Sequence, residues 1–450
     1  MRGGTHPLVW LPAAAGTGTL VALAATQLMA DAPSLALALA ILMIGAVAAL
    51  ALTKPRTALV ASFLLLAFVR VEPAPVDLML ALLLGISVAL GTARSRMPVA
   101  ILFALSGFAA VSILSMVSAV DVGTALRFNA ITIFLLVVAV WLTGALSSDA
   151  GTTRSAMKAY VIGAAVTSLA GVLALHLPIP GSGFLLFDNY RAQGLFKDPN
   201  VFAPFLVPAA CLVLEEIARP RLLPWRRRVL VATALVLVAG IVFAFSRAAW
   251  LNFLLAATVL IAVYGIRRNG LRAAARSGTV LLVAGLLGLA MLVGTGSLSF
   301  FESRTTLQRY DERRFETQGE AFDRTTDHVL GYGPGQSDKL LGYPPHSTYA
   351  RVGIEQGILG LVGIVAIFAV TFGAAVRLAV RDADLHGIGS ATLLAAWIGL
   401  MVNSFFIDTL HWRHLWIVAA LIWCAAAVHR LRRAPLPAPP VRPRALSSAT

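Results

Sequence analysis

Charge is what this sequence has least of. Asp, Glu, Lys and Arg make up 13% of its 450 residues, against about 25% in a soluble globular chain. A string of soluble domains, which length alone would suggest, is therefore excluded. Cysteine is nearly absent. The two present, Cys211 and Cys424, sit inside apolar runs, so they are small packing residues that neither build a disulfide framework nor report a redox compartment. The chain also lacks a Gly-rich phosphate loop with its lysine and an H-E-x-x-H pair, which sets aside Walker-type ATP hydrolysis and zinc proteolysis. The net charge is +15, yet the basic residues stand in short clusters between apolar runs. No basic domain forms, so no nucleic-acid partner is expected.

What the chain does have is apolar length. Hydrophobic residues reach 58% and the mean hydropathy is +0.83, enough for many segments of the roughly 20 residues that cross a bilayer core. Runs such as Val229–Phe245 do not alternate polar and apolar positions, which excludes a transmembrane barrel. The fold class is all-α, a polytopic transmembrane helical bundle. Spans are predicted at 8–29, 35–53, 57–71, 76–92, 98–118, 127–146, 157–177, 200–218, 229–245, 247–265, 279–297, 349–376, 388–408 and 411–429. The third span and the break at Phe245–Arg247 are the least marked, so the count is about 12–14. The first run is too long for a signal-peptide core and reads as an uncleaved helix.

Loop charge predicts the orientation. Lys54 and Arg56, Arg94 and Arg96, Arg154 and Lys158, Arg219 to Arg228, Arg267 to Arg276, and Arg377 and Arg381 fall in every second loop. With Arg430, Arg432 and Arg433 they place both termini in the cytoplasm. Four regions are expected: N-terminal spans over 1–177, a catalytic region over 178–376, C-terminal spans over 377–429 and a Pro-rich disordered tail over 430–450. Two sizeable loops then face outward, 178–199 and 298–348. The second is the one long hydrophilic segment. Its stretch from Arg304 to His328 alternates in charge and suits one or two surface helices, before a flexible, turn-rich Gly-Tyr-Gly-Pro-Gly at 331–335.

The candidate chemistry lies on that outer side. Arg70, Arg127, Arg191, Lys197, Arg247, Arg351 and Arg413 sit at outer span ends against the positive-inside pattern. The plain reading is that each snorkels to the head groups. Arg247 resists it, because Ala-Phe-Ser-Arg-Ala-Ala-Trp leaves almost no loop around the side chain. An arginine at a helix centre costs about 2.5–3.5 kcal/mol on insertion scales, and a guanidinium facing a wet cavity suits bidentate contact with phosphate. In Asn189–Asn200 (NYRAQGLFKDPN), Arg191 and Lys197 flank a helix start capped by Asp198 or Asn200, an anion site or simply a capped loop. Pro344 and Pro345 fix the backbone before His346, whose neutral ring can take a proton from a hydroxyl. Glu355 is either the i,i+4 partner of Arg351 or an orienter of the site. His411 and His414 lack a third metal ligand, and an interfacial aromatic belt accounts for Trp412 and Trp416. Glu215 and Glu216 read as surface charges near Arg219.

The order of these elements resembles a known family. Arg191, Gly194, Phe196, Asp198, Pro199 and Asn200, then Ser246-Arg247, then Gly331, Gly333, Gly335 and His346, then Glu355, Gly357 and Gly360 are similar to the pattern of the O-antigen ligase and polymerase superfamily, over about 185–365. The resemblance implies a metal-independent, cofactor-free glycosyltransferase of the GT-C-like helical type in the bacterial inner membrane. It would take a glycan from undecaprenyl pyrophosphate on the outer face and pass it to a glycan or lipid A–core hydroxyl. Arg191 and Arg247, with Lys197, would hold the pyrophosphate. His346 would activate the acceptor, with Glu355 as the fallback base and Asn200, Ser246 and Arg351 in support. The residue after the histidine is often Asn in the family and is Ser347 here. The alternative is a multi-pass transporter or flippase of a lipid-linked anionic glycan, for which the same arginines would be a transient phosphate site.

Overall fold

The computed structural model describes residues 45–431 apart from 46, 96, 178–179, 267–269, 295, 297 and 306–308. The expected first span, most of the second and the tail beyond Leu431 lie outside the described residues. From the third span onward, a helix stands at every predicted position: α1 (Pro55–Leu65), α2 (Pro75–Ala89), α3 (Val99–Leu114, continued by a 3-10 turn to Ser118), α4 (Val122–Ser148), α5 (Ala150–His176), α6 (Pro199–Ala218), α7 (Arg227–Phe243), α8 (Arg247–Ile266) and α9 (Gly270–Gly294). The long loop holds α10 (Leu298–Thr305), α11 (Arg309–Asp323) and the short α12 (Ser337–Leu341). The chain then returns through α13 (Thr348–Val380), α14 (Ser390–Phe406) and α15 (Arg413–Leu431). The chain is an all-α polytopic membrane protein. Among the described residues, six helices are long and apolar enough to cross a membrane.

Helix α6 is the axis of the bundle. Almost every side chain on it is buried, and it packs against α5, α7, α8 and α14. It carries Pro204 and Pro208 inside its length, and neighbours also bond its backbone: Tyr160 donates to the Phe205 carbonyl at 2.6 Å and Thr392 to that of Cys211 at 3.2 Å. Its start at Pro199 and the start of α8 bring the residues near 200 and 247 to the end of the bundle that carries the long loop.

The opposite end is tied by charge. Arg219 pairs with Asp382 at 3.1 Å, and Arg154 donates to the His386 carbonyl at 2.8 Å. Here the surface-charge reading of Glu215 and Glu216 is overturned, since both are buried. Glu216 accepts from the backbone N–H groups of Arg221, Leu222 and Leu223 at 2.9–3.2 Å, closing the turn after α6. Glu215 lies against Gly389 in the small hairpin that precedes α14. An acidic residue at a helix end is as useful for capping a buried turn as for meeting water, and sequence does not separate the two. The aromatic-belt reading is also corrected. Trp412 and Trp416 are buried, the latter donating to the Leu410 carbonyl at 2.7 Å.

Candidate active site

The break between α7 and α8 is a turn at Ala244–Ser246. Phe245 adopts φ 49° there, a left-handed conformation that costs a bulky residue about 1–3 kcal/mol. Packing holds it in place, with the ring edge-on to Phe243 and Trp250 at centroid distances of 6.1 and 6.4 Å. The turn presents Ser246 and Arg247 to a cavity of about 210 Å³, whose wall also includes Asn200, Asp311, Arg314 and Phe406. Three sequence-predicted residues, Asn200, Ser246 and Arg247, thus meet in one space. Arg247 is not a snorkelling residue: its Nη2 forms an ion pair with the Asp311 carboxylate of α11.

Arg191 stands behind this wall. It is buried, and its Nε donates to the Ala244 carbonyl at 2.9 Å while Nη2 donates to Asn200 Oδ1 at 3.2 Å. It braces the very turn that presents Arg247. Asp198 is the cap of α6, accepting from the Asn200 N–H at 2.7 Å. Lys197 is directed elsewhere, half-exposed and paired with Glu72 at 3.4 Å, and it does not line the cavity.

His346 stands just ahead of α13, whose N-cap is Ser347, and feels the charge of Arg314 in the cavity wall. Its ring meets Tyr343 at 5.4 Å, and the Arg313 guanidinium covers the other ring at 4.9 Å. Arg313 of α11 is thus linked to the imidazole through Tyr343, whose contact with His346 is edge-on. Burial, followed by the charge of Arg314, pushes the His346 pKa down to about 4, against the pull of Asp408. The ring is neutral at physiological pH and its lone pair is available. Arg351 lies below, donating to Glu355 at 3.1 Å and to Asp408 at 2.6 Å, with its guanidinium 4.4 Å from the Phe128 ring.

Glu355 is buried, and donors surround it. Its Oε1 accepts from Ser337 Oγ at 2.5 Å and Arg351 Nε at 3.1 Å, and its Oε2 from the Gly335 N–H at 2.8 Å. A carboxylate engaged in this way is a brace for the loop. The loop it holds is seated where α13 breaks. Gly357 has φ 66° and ψ −169° inside the helix, a region essentially closed to other residues. The N–H groups of Tyr332 and Gly333 bond the Ile354 and Glu355 carbonyls at 3.0 and 2.8 Å. A Cβ on Gly331 would stand 2.4 Å from the Gly357 nitrogen, and one on Gly357 2.2 Å from the Val329 carbonyl. The segment 331–335, expected to be a flexible turn, is instead a fitted joint.

Asp311, Arg314 and Asp408 escaped sequence reasoning. The first two lie in a helix of alternating charge where nothing singles them out, and Asp408 follows α14 without any motif. Arg70 donates to the Phe196 carbonyl at 3.1 Å, joining two loops, and Arg413 pairs with Asp77, tying α15 to α2. His411 meets Thr132 Oγ1 at 2.9 Å, and His414 packs edge-on to Phe205. In comparisons with known proteins, no curated protein matches the chain. Residues 232–365 match the family described as O-antigen ligase, a stretch that contains Ser246, Arg247, Asp311, Arg314, His346 and Glu355.

Proposed function

From the match of residues 232–365 to the O-antigen ligase family, we propose that the chain is a membrane glycosyltransferase of the O-antigen ligase and polymerase superfamily, moving a glycan from undecaprenyl pyrophosphate to an acceptor hydroxyl. The observation that carries the reading is the cavity, which gathers two guanidinium groups, Arg247 and Arg314, the second of which also acts by its charge on a neutral His346 outside the lining. The donor's pyrophosphate lies on Arg247, with Arg314 and Asn200 nearby. Arg191 holds the turn rather than the ligand, and Lys197 attracts the anion from outside the cavity. The acceptor hydroxyl gives its proton to His346 as its oxygen bonds to the anomeric carbon. The bond from that carbon to the phosphate oxygen breaks, and the pyrophosphate leaves with the electron pair. Fixed guanidinium groups meet the charge that develops there, the place a divalent metal takes elsewhere. Attack from the face opposite the leaving group inverts the anomeric centre.

The reaction is assigned to the outer face of the bacterial inner membrane, with both termini in the cytoplasm, because the clusters of Arg and Lys lie at the other end of the bundle. The acceptor class is tested by incubating the purified protein with a lipid-linked glycan and, separately, with lipid A–core, a second glycan chain and a protein hydroxyl. Transfer to one of them is the expected result. Movement of the intact donor across the bilayer, with no transfer to any, would favour a transporter.

A further inference from the structure

The cavity at Arg247 already contains an anion of the protein's own. Asp311 reaches in from α11, its carboxylate 6% exposed, and pairs with a guanidinium that keeps 27% of its surface open. A carboxylate offers arginine the same two-oxygen face that a phosphate does. Ser246 Oγ, buried and without a hydrogen-bond partner among the described residues, lines the same space. The site thus has the shape of an anion pocket holding a stand-in.

We propose that Asp311 is a built-in competitor for the donor's pyrophosphate, displaced from Arg247 when the donor enters. This rests on the reading of Arg247 as the pyrophosphate site. A buried carboxylate stripped of its partner is strongly disfavoured, so Asp311 leaves for solvent and takes the first turn of α11 with it. Glu312, Arg313, Phe315 and Glu316 are exposed, Phe315 at the cavity rim, and α11 is buried further along, where Ala321 packs on Ala350 and Ile354. The competitor has a purpose in the cycle. The spent carrier still bears the pyrophosphate, and a site built only to grip that group would keep it. The returning carboxylate ejects it, at the cost of lowering donor affinity by the fraction of molecules in which the site is open. Arg313, on the same turn, covers Tyr343 and through it His346, so donor entry is also felt where the acceptor binds.

The test is titration of full-length protein in nanodiscs with inorganic pyrophosphate, followed calorimetrically. Asp311→Asn is expected to bind pyrophosphate at least about fivefold more tightly, and in transfer assays to lower KM for the donor and kcat together. A residue that only supports the fold would weaken binding or leave it alone, and either result overturns the proposal. Should Asp311→Asn fail to fold, nitroxides at Glu312→Cys and Gly183→Cys in an otherwise wild-type chain are expected to move apart when pyrophosphate is added, and an unchanged distance overturns the proposal equally. Arg247→Ala separates the two claims. Loss of pyrophosphate binding there, with Asp311→Asn unchanged, sinks only the competitor. Binding that survives in Arg247→Ala sinks the donor site itself.

Discussion

His346 is the residue whose chemistry the structure alters most. An unperturbed imidazole titrates near ~6.5, and the transfer rate would then climb through neutrality. With its pKa lowered to about 4, the ring is already neutral at pH 6. Only the neutral form accepts a proton, so the rate is expected to be flat from about pH 6 to 8 and to fall as the pH drops towards 4; a rise centred near pH 6.5 would contradict the buried placement. His346→Ala should lose acceptor-dependent transfer and still bind the donor, whereas a His346 that merely positions the acceptor would let His346→Gln keep much of the rate. Near-normal turnover in His346→Ala with an inactive Glu355→Gln would pass the role to Glu355. At this scale the sequence is informative where a residue is out of place. Arg247 in an apolar run and a histidine fixed by two prolines are conspicuous because burial there is expensive. Asp311 and Arg314 are not, since charge in an exposed-looking helix is ordinary.

Among the elements, the joint between the 331–335 loop and the break in α13 is the one that organises the site. Gly357→Ala should cost at least about 1–3 kcal/mol for the backbone conformation alone, with the clash against Val329 added. The expected sign is a lowered thermal midpoint and rapid proteolysis within 324–345, and an undisturbed digestion pattern would mean that the joint does not hold the loop. Glu355→Gln should loosen the same loop by about 1.5–3 kcal/mol, the worth of a hydrogen bond to a charged group, as read by the same digestion. The helices themselves were legible, because runs of about 20 apolar residues leave few alternatives. The break was not. Glycine is common in membrane helices, and what marks Gly357 is the loop that docks on it, a contact made across distant parts of the chain. Helix α1 is likewise shorter than the 57–71 span suggested, ending at Leu65 before the chain turns towards Glu72 and its pairing with Lys197.

For the whole molecule the question is which side the cavity faces and what it does there. The bundle's two ends differ in charge, with Arg154, Arg219, Arg221 and Arg226–Arg228 gathered away from the long loop. That asymmetry was readable in the sequence as alternating loops, and on it rests the proposal that residues 304–345 lie outside. Labelling of single cysteines in that range from the outside, and of cysteines replacing Arg226–Arg228 from the cytoplasm, is the expected pattern; the reverse would put the cavity on the wrong side for an outward-facing glycan. The central claim is that Arg247 holds a pyrophosphate-linked glycan for transfer without a metal. It is tested most directly by the transfer rate of wild-type and Arg247→Ala protein, equally well inserted in nanodiscs, on a lipid-linked glycan and acceptor in excess chelator. Robust wild-type transfer and a loss of more than about tenfold in the variant are predicted, from a guanidinium–phosphate contact worth at least ~1.5 kcal/mol. Unimpaired turnover by Arg247→Ala, or an absolute need for Mg²⁺, would contradict it.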